Sequence, residues 1–546
     1  MAITINHQTN DISATSGSLT IDGSAVGGGG GATSVSGTGT QNIIGGTNAG
    51  SSLQSDAEYN LFIGEEAGKD VTTGDRNIFL GLEAGTNTTH ASNNIAIGQR
   101  ALHGSDTTAQ SGGSNVAVGS LALQEITGGT SNVAVGASAG RNTTTGTDNV
   151  SVGPQAGRYI TTGAYNVILG KDSGLGITTQ SSNVIIGQSA GESAEGARGV
   201  LIGYQAGENS HGNENVYIGD AAGKGSGTDT DLGNVAIGNA ALTAITDGDY
   251  NVAVGWKAGD AITSGHDNVA IGRNSGGSIT TATENVNIGT GAGQLITTGA
   301  SNVAIGAYAL KSNDTHNQNV AIGYYAASDV EDDRVVYIGS QCGFTRETGD
   351  DNIGIGYFAN GGASGTAASG QANVGIGRES LKVITTGNYN TAVGAMTGDS
   401  LTTGYNNVLI GYNAAASSAT VANEITFGNS SISSLRCQVQ TISSLSDARD
   451  KTNVAPLQAG LDFVERLDPV SFTWNMRDGG KIGIEETGFI AQDLQQVQQD
   501  TGVEIPGLVN DNNPERLEAA YGKLVPVLVQ AIKDLSAKVN ELEARI

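Results

Sequence analysis

The chain is short of nearly everything from which metal centres, disulfide scaffolds and membrane spans are made. It has two cysteines, Cys342 and Cys437, far apart in sequence. That spacing excludes a disulfide framework and any Cys-x-x-Cys metal pair, so free thiols are expected. The six histidines are scattered, without the paired spacing of a metal-binding helix. No metal site and no cofactor is therefore expected. No apolar run approaches the length of a bilayer span, so no membrane insertion is expected either. The first residues, MAITINHQTNDISATSG, lack the basic and apolar regions of a secretory signal, which points to a chain made in a cytoplasm. Lys and Arg together number 26 against 53 Asp and Glu, a formal charge of −27. Phosphate contacts need cations, so nucleic acid is not an expected partner. Aromatic residues make up 5% and charged residues 14% of the 546 positions, which argues against several compact cores.

What is abundant is glycine, 84 residues without a collagen period, together with regularly spaced Val and Ile. Tight turns in a repeating architecture account for both; disorder does not account for the second. A phrase of the form Asn-Val-Ala-Ile-Gly recurs 22 times, its last Gly running from Gly64 to Gly428. Most steps are 17 residues, with three of 16, one of 19 and two of 21. In Asn251-Val252-Ala253-Val254-Gly255 the two valines alternate as on one face of a strand. Seven residues past the motif Gly another apolar residue recurs, at Ile245, Ile262, Ile279 and Ile296, before a Thr-Thr-Gly or similar turn. Each unit therefore reads as a short strand, a turn, a second short strand and another turn. Such a unit buries nothing alone, and stacked units bury a shared core. The equivalent Val and Ile are expected to form ladders inside, and the Asn side chains a hydrogen-bonded ladder of their own. At about 4.8 Å per coil, the 22 copies span on the order of 100 Å.

The repeat resembles the head repeat of YadA-like trimeric adhesins, on Asn-Val-Ala-Ile-Gly followed by Ala-Gly over roughly residues 55–428. The resemblance implies a parallel β-roll with three chains side by side. The unit here is longer than the usual adhesin repeat. The two 21-residue steps carry insertions, His103-Gly104-Ser105-Asp106-Thr107-Thr108 and Gly361-Gly362-Ala363-Ser364-Gly365, of the kind that emerge on a solenoid surface. Residues 1–25 read as an attachment segment and 26–54 as a linker, with five successive glycines at Gly27 to Gly31.

Past a junction at 429–445 the composition changes. Glycine falls and helix formers rise. Tyr521, Val525, Leu528, Ile532, Leu535, Val539, Leu542 and Ile546 are spaced 4, 3, 4, 3, 4, 3, 4, the seam of a coiled coil. Ser446-Asp447-Ala448-Arg449-Asp450-Lys451, Pro469-Val470-Ser471-Phe472-Thr473-Trp474, Gly488-Phe489-Ile490-Ala491-Gln492 and the terminal heptads come in that order. Together, over 446–546, they resemble the endosialidase-type intramolecular chaperone at the end of phage tail spikes and fibres. The resemblance implies a domain that trimerises, guides the folding of the upstream shaft, and in many members cuts itself off. Carried onto this sequence, Ser446 is the nucleophile, Lys451 its base, Leu445–Ser446 the scissile bond, and Asp447 and Arg449 supporting residues. A Ser hydroxyl needs such a base, and Lys serves when burial or nearby positive charge deprotonates it.

The expectation is thus a mainly β chain. It comprises a homotrimeric, repeat-built parallel β-solenoid of 17-residue coils and a small α+β domain ending in a coiled-coil helix. It belongs in a virion tail, with a baseplate or adaptor at its N-terminus and a host cell-surface glycan or protein as receptor, and its only reaction is on its own chain. Two alternatives remain: a polysaccharide-degrading tail spike and a bacterial trimeric adhesin. For the first, the adjacent carboxylates Glu65–Glu66 and Asp332–Asp333 read better as solvated turns, and Trp256 is the lone shaft Trp for stacking on sugar.

Overall fold

The computed structural model describes residues 3–6, 11–14, 42–105, 110–226, 230–344, 348–361, 368–436, 438, 446–477, 482–511 and 513–546. Two compact units emerge, Met1–Ile322 and Gly323–Ile546. The first carries an antiparallel pair, Ile3–Asn6 with Asp11–Ala14, and then 17 three-residue strands from Ile43–Gly45 to Val320–Ile322. The second carries six more, from Val336–Ile338 to Ile425–Phe427, and then an α+β region. In both units the strands pair in parallel with identical register, each motif residue on its copy: Val252↔Val269, Ala253↔Ala270, Val254↔Ile271. The fold is the expected parallel β-solenoid. Its ladder starts earlier than the motif count suggested. Ile43–Gly45 already pairs with Leu61–Ile63, so the stack takes in residues assigned above to the linker.

The amide ladder forms as expected. Asn251 donates from both its backbone N–H (2.8 Å) and its side chain (3.1 Å) to Oδ1 of Asn234. The second proton of the same side chain goes to the Gly265 carbonyl, 2.8 Å away in the turn that follows. Every such Asn is buried, so a ladder residue satisfies its polar atoms through its copies above and below and through the turn carbonyl that follows it. The motif Gly has a separate reason. Gly255 sits at φ 139°, and a Cβ there would lie 2.6 Å from the Gly272 carbonyl oxygen in the next coil. Only glycine lets the two backbones meet this closely.

Two expectations are corrected. The flanking Val and Ile of the motif face outward, not inward. In Val252–Val254 the middle Ala253 is buried, and the two valines are partly exposed. The interior is lined instead by the middle strand residue, by a small residue three past the Gly such as Ala258, and by Ile262. In-register stacking therefore lays two apolar columns along the outside of each unit. Among the described residues the second expected strand is also absent. Ile262 is buried, but its N–H donates to Gly259 within its own coil (3.0 Å), and the N–H groups of Thr263 and Gly265 cross instead, both to the Thr280 carbonyl, at 3.0 and 3.1 Å. Turns with left-handed residues, such as Tyr250 at φ 55° and Lys257 at φ 52°, do the work of the second strand.

Core volume is conserved by exchange between columns. Where the third position shrinks to Ala194 or Ser210, the strand residue grows to Ile185 or Leu201. Phe62 and Phe79 stack at 5.0 Å in the first coils. Cys342 occupies the small-residue column, buried, and desolvation pushes its thiol up to about 12.

Candidate cleavage and assembly site

The α+β region closes a core of its own. Helix α1, Leu461–Glu465, helix α2, Ala491–Thr501, and helix α3, Leu524–Glu543, accompany an antiparallel hairpin, Val470–Asn475 with Ile482–Gly488. Phe463, Leu494, Val497, Ile505, Leu508, Leu524 and Val527 pack together. Helix α1 has no side-chain cap of its own, and Asp534 of α3 supplies one by accepting the Leu461 N–H at 3.0 Å. That bond and a second from Gln530 hold the Asp534 carboxyl below the usual carboxylate range. Tyr521 Oη closes another link, accepting from the Phe489 N–H (3.1 Å) and donating to the Phe489 carbonyl (3.0 Å).

Helix α3 carries two apolar faces. Leu524, Val527 and Ala531 are buried in the domain core. The heptad seam is a different face. Val525, Leu528, Ile532, Leu535, Val539 and Leu542 are 44–66% exposed, and Ile546 at the end fully so. The domain core does not use this seam.

Ser446 and Lys451 come together. A short 3₁₀ turn, Ala448–Asp450, folds the chain back so that Lys451 Nζ donates to Ser446 Oγ at 2.6 Å, and more weakly to the Ser446 carbonyl at 3.4 Å. Asp447 caps that turn by accepting the Arg449 N–H at 2.9 Å, and it also holds the Arg449 guanidinium at 2.6 Å. The guanidinium keeps the Asp447 carboxyl below the usual range. The two residues expected as nucleophile and base are thus in contact, and the acid–guanidinium pair fixes the turn between them. All four side chains are exposed in the single chain. Leu445, the other side of the expected scissile bond, lies outside the described residues.

Elsewhere the candidates separate. Asp332 is buried, not a solvated turn as expected, whereas Glu65 is exposed and Glu66 pairs with Lys69 at 3.2 Å. Trp256 is half-exposed, with Lys257 Nζ 5.2 Å from its ring centroid. Asp106 to Thr108 and Gly362 to Gly365 of the two insertions, the Gly27 to Gly31 run, and Cys437 lie outside the described residues. Among the described residues no three metal-ligating side chains converge, and no helix is long and apolar enough to cross a membrane.

Residues 446–503 match the model of the Peptidase_S74 family, described as chaperone of endosialidase. Two curated relatives are long tail fiber proteins Gp37, from Enterobacteria phage K3 and Enterobacteria phage T2. Each is 33% identical over 105 residues, 18% of this chain but only 8% and 7% of the respective relative. The chain thus spans less than a tenth of their length. No solved structure matches.

Proposed function

We propose that the chain is a structural component of a phage tail fibre that works in host attachment, built as a homotrimer. In this reading residues 1–25 join it to a baseplate or adaptor, the solenoid is a YadA-like shaft that presents a surface to a host glycan or protein receptor, and 446–546 is an intramolecular chaperone. The observation that carries the reading is the exposed heptad seam of α3 in a domain whose own core is already closed. Such a face is stable in water when it meets other copies of itself. Three is the number in both families the sequence resembles. The outward Val and Ile columns of the shaft supply a second, longer apolar face for the same association. Joining the copies at one end sets their register before slow, non-local strand pairing begins.

The contact at Ser446 supports autocleavage. Lys451, once neutral, takes the Ser446 hydroxyl proton as Oγ attacks the Leu445 carbonyl carbon. The proton passes to the departing Ser446 nitrogen, which leaves an ester between Leu445 and Ser446 Oγ. Water hydrolyses the ester, giving a Leu445 carboxylate and a free hydroxyl beside a new amino terminus. Loss of the assembly domain would leave the shaft kinetically trapped.

The experiment is to run the full chain, Ser446→Ala and the double variant Ile532→Glu/Leu535→Glu on a denaturing gel beside a native mass measurement. The proposal expects a 445-residue and a 101-residue piece from the parent alone. It expects three shaft copies per particle, and monomers from the double variant. A parent that stays whole yet trimeric removes the cleavage step, and a monomeric parent removes the fibre.

A further inference from the structure

The amide ladder has a gap in the first unit. At the position where neighbouring coils carry Asn166, Asn183, Asn215 and Asn234, the intervening coil has Gly199. The coils around it are short, two successive steps of 16 residues. Three polar groups lose their usual partners there. The Gly199 N–H still donates to Asn183 Oδ1, at 2.8 Å. The Asn215 N–H, however, has no Oδ1 below it to accept. Its counterparts do: Asn183 donates to Asn166 at 3.0 Å, and Asn234 to Asn215 at 2.8 Å. The second amide proton of Asn183 is orphaned as well. Asn149 and Asn166 send theirs to the turn carbonyls of Gly163 (2.8 Å) and Gln180 (3.0 Å). Gly196 holds that turn position for Asn183, but the side chain does not reach it. Finally, the Ser210 hydroxyl accepts from Asn215 at 3.4 Å and donates to nothing among the described residues.

These groups surround one small enclosure. A cavity of ≈ 10 Å³ is lined by Asn183, Gly196, Gly199, Ser210 and Asn215 along with apolar atoms of Ile177, Ala194 and Leu201. Asn183, Ser210 and Asn215 are all at least nine-tenths buried. The volume is that of a single water, and a buried water needs two to four polar partners, which is what the wall offers. The ladder's other interruption is different. Val335 stands in the Asn position and fills it with a buried side chain.

We infer that the Gly199 gap is a built site for one structural water, which stands in for the missing amide. It accepts from the Asn215 N–H and the spare Asn183 amide proton, and donates toward the turn at Gly196. The coil therefore holds its place in the stack through a bound solvent molecule rather than a side chain.

The site can be tested by replacement. Gly199 does not have positive φ, and a Cβ there meets Asn183 Oδ1 at 3.4 Å and the Asn215 carbonyl at 3.7 Å, ordinary contacts. Gly199→Asn should complete the ladder and expel the water, whereas Gly199→Ala should crowd it without replacing its bonds. In the full chain, a high-resolution crystal structure of the parent should show a density peak within hydrogen-bond distance of Asn215 N and Asn183 Nδ2. The peak should be missing in Gly199→Asn. The Asn variant should also have the higher thermal midpoint of the two, and should slow exchange of the Asn215 amide about tenfold, as exchanging an immobilised water for a covalently held acceptor allows. An empty cavity in the parent, or an Asn variant no more stable than the Ala variant, would overturn the inference.

Discussion

Asn287 offers the sharpest test of how the solenoid core is built. It is the middle residue of the strand Val286–Ile288, the position that faces inward. The neighbouring coils place Ala270 and Ala304 there, and Asn287 stacks in register on both. It is fully buried, and neither its amide nitrogen nor its amide oxygen has a partner. The amide fits only because Gly293 lacks a side chain; a Cβ there would stand 2.0 Å from Oδ1. Burying an unpaired amide costs about 1–3 kcal/mol in proteins. Asn287→Ala removes that cost and leaves a void of roughly 30 Å³, the scale of a water molecule. At ~24 cal/mol per Å³ the void returns about 0.7 kcal/mol. A net stabilisation of roughly 0.3–2.3 kcal/mol is expected. Denaturant unfolding gives the global value, and hydrogen exchange at Val286 and Val303 tests whether the gain is local. A variant destabilised by 1 kcal/mol or more would show that the amide is satisfied in solution and that the reasoning fails.

Two further outcomes follow from the same geometry. Gly255→Ala places a methyl group against the Gly272 carbonyl at a φ that L residues rarely adopt, so it should cost ~3 kcal/mol or more and raise protease sensitivity in the adjacent coils. Asp534, depressed by its hydrogen bonds, contributes stability that is present above the unfolded carboxylate value of about 3.9 and lost as pH falls through its lower folded value. Acid unfolding of the C-terminal domain below about pH 4 should therefore be shallower in Asp534→Asn, measured by circular dichroism of 446–546 within the full chain.

Most of the architecture was legible because a short repeat states each rule many times. The Asn ladder was readable from residue type and period, since it serves coil-to-coil contacts that recur at a fixed interval; the motif Gly showed its period but not its close approach to the next coil. The orientation of Val252 and Val254 was not. Alternation says that two residues share a face, and nothing in it says which face is inside. The interior residue, Ala253, carries so little side chain that it gives no hydrophobic signal. The second strand was misread because Ile262 is apolar and buried for a reason unrelated to pairing: a turn points it inward. The pairing of Ser446 with Lys451 was legible only through the family resemblance, and the short turn at Ala448–Asp450 is what brings the two together. The cap that Asp534 gives α1 was not, since 73 residues separate it from Leu461.

The in-register stack also has a mechanical side. In the first unit each coil is held mainly by the coil before it and the coil after it, so a pull along the stack passes through every interface in turn. The strength of such an assembly is set by its weakest junction, not by the sum. Asn and motif-Gly contacts make most junctions alike, and the one at Gly199 lacks an amide pair. Under load the first unit should part there, between the strands Val184–Ile186 and Val216–Ile218, while the coils on either side stay closed.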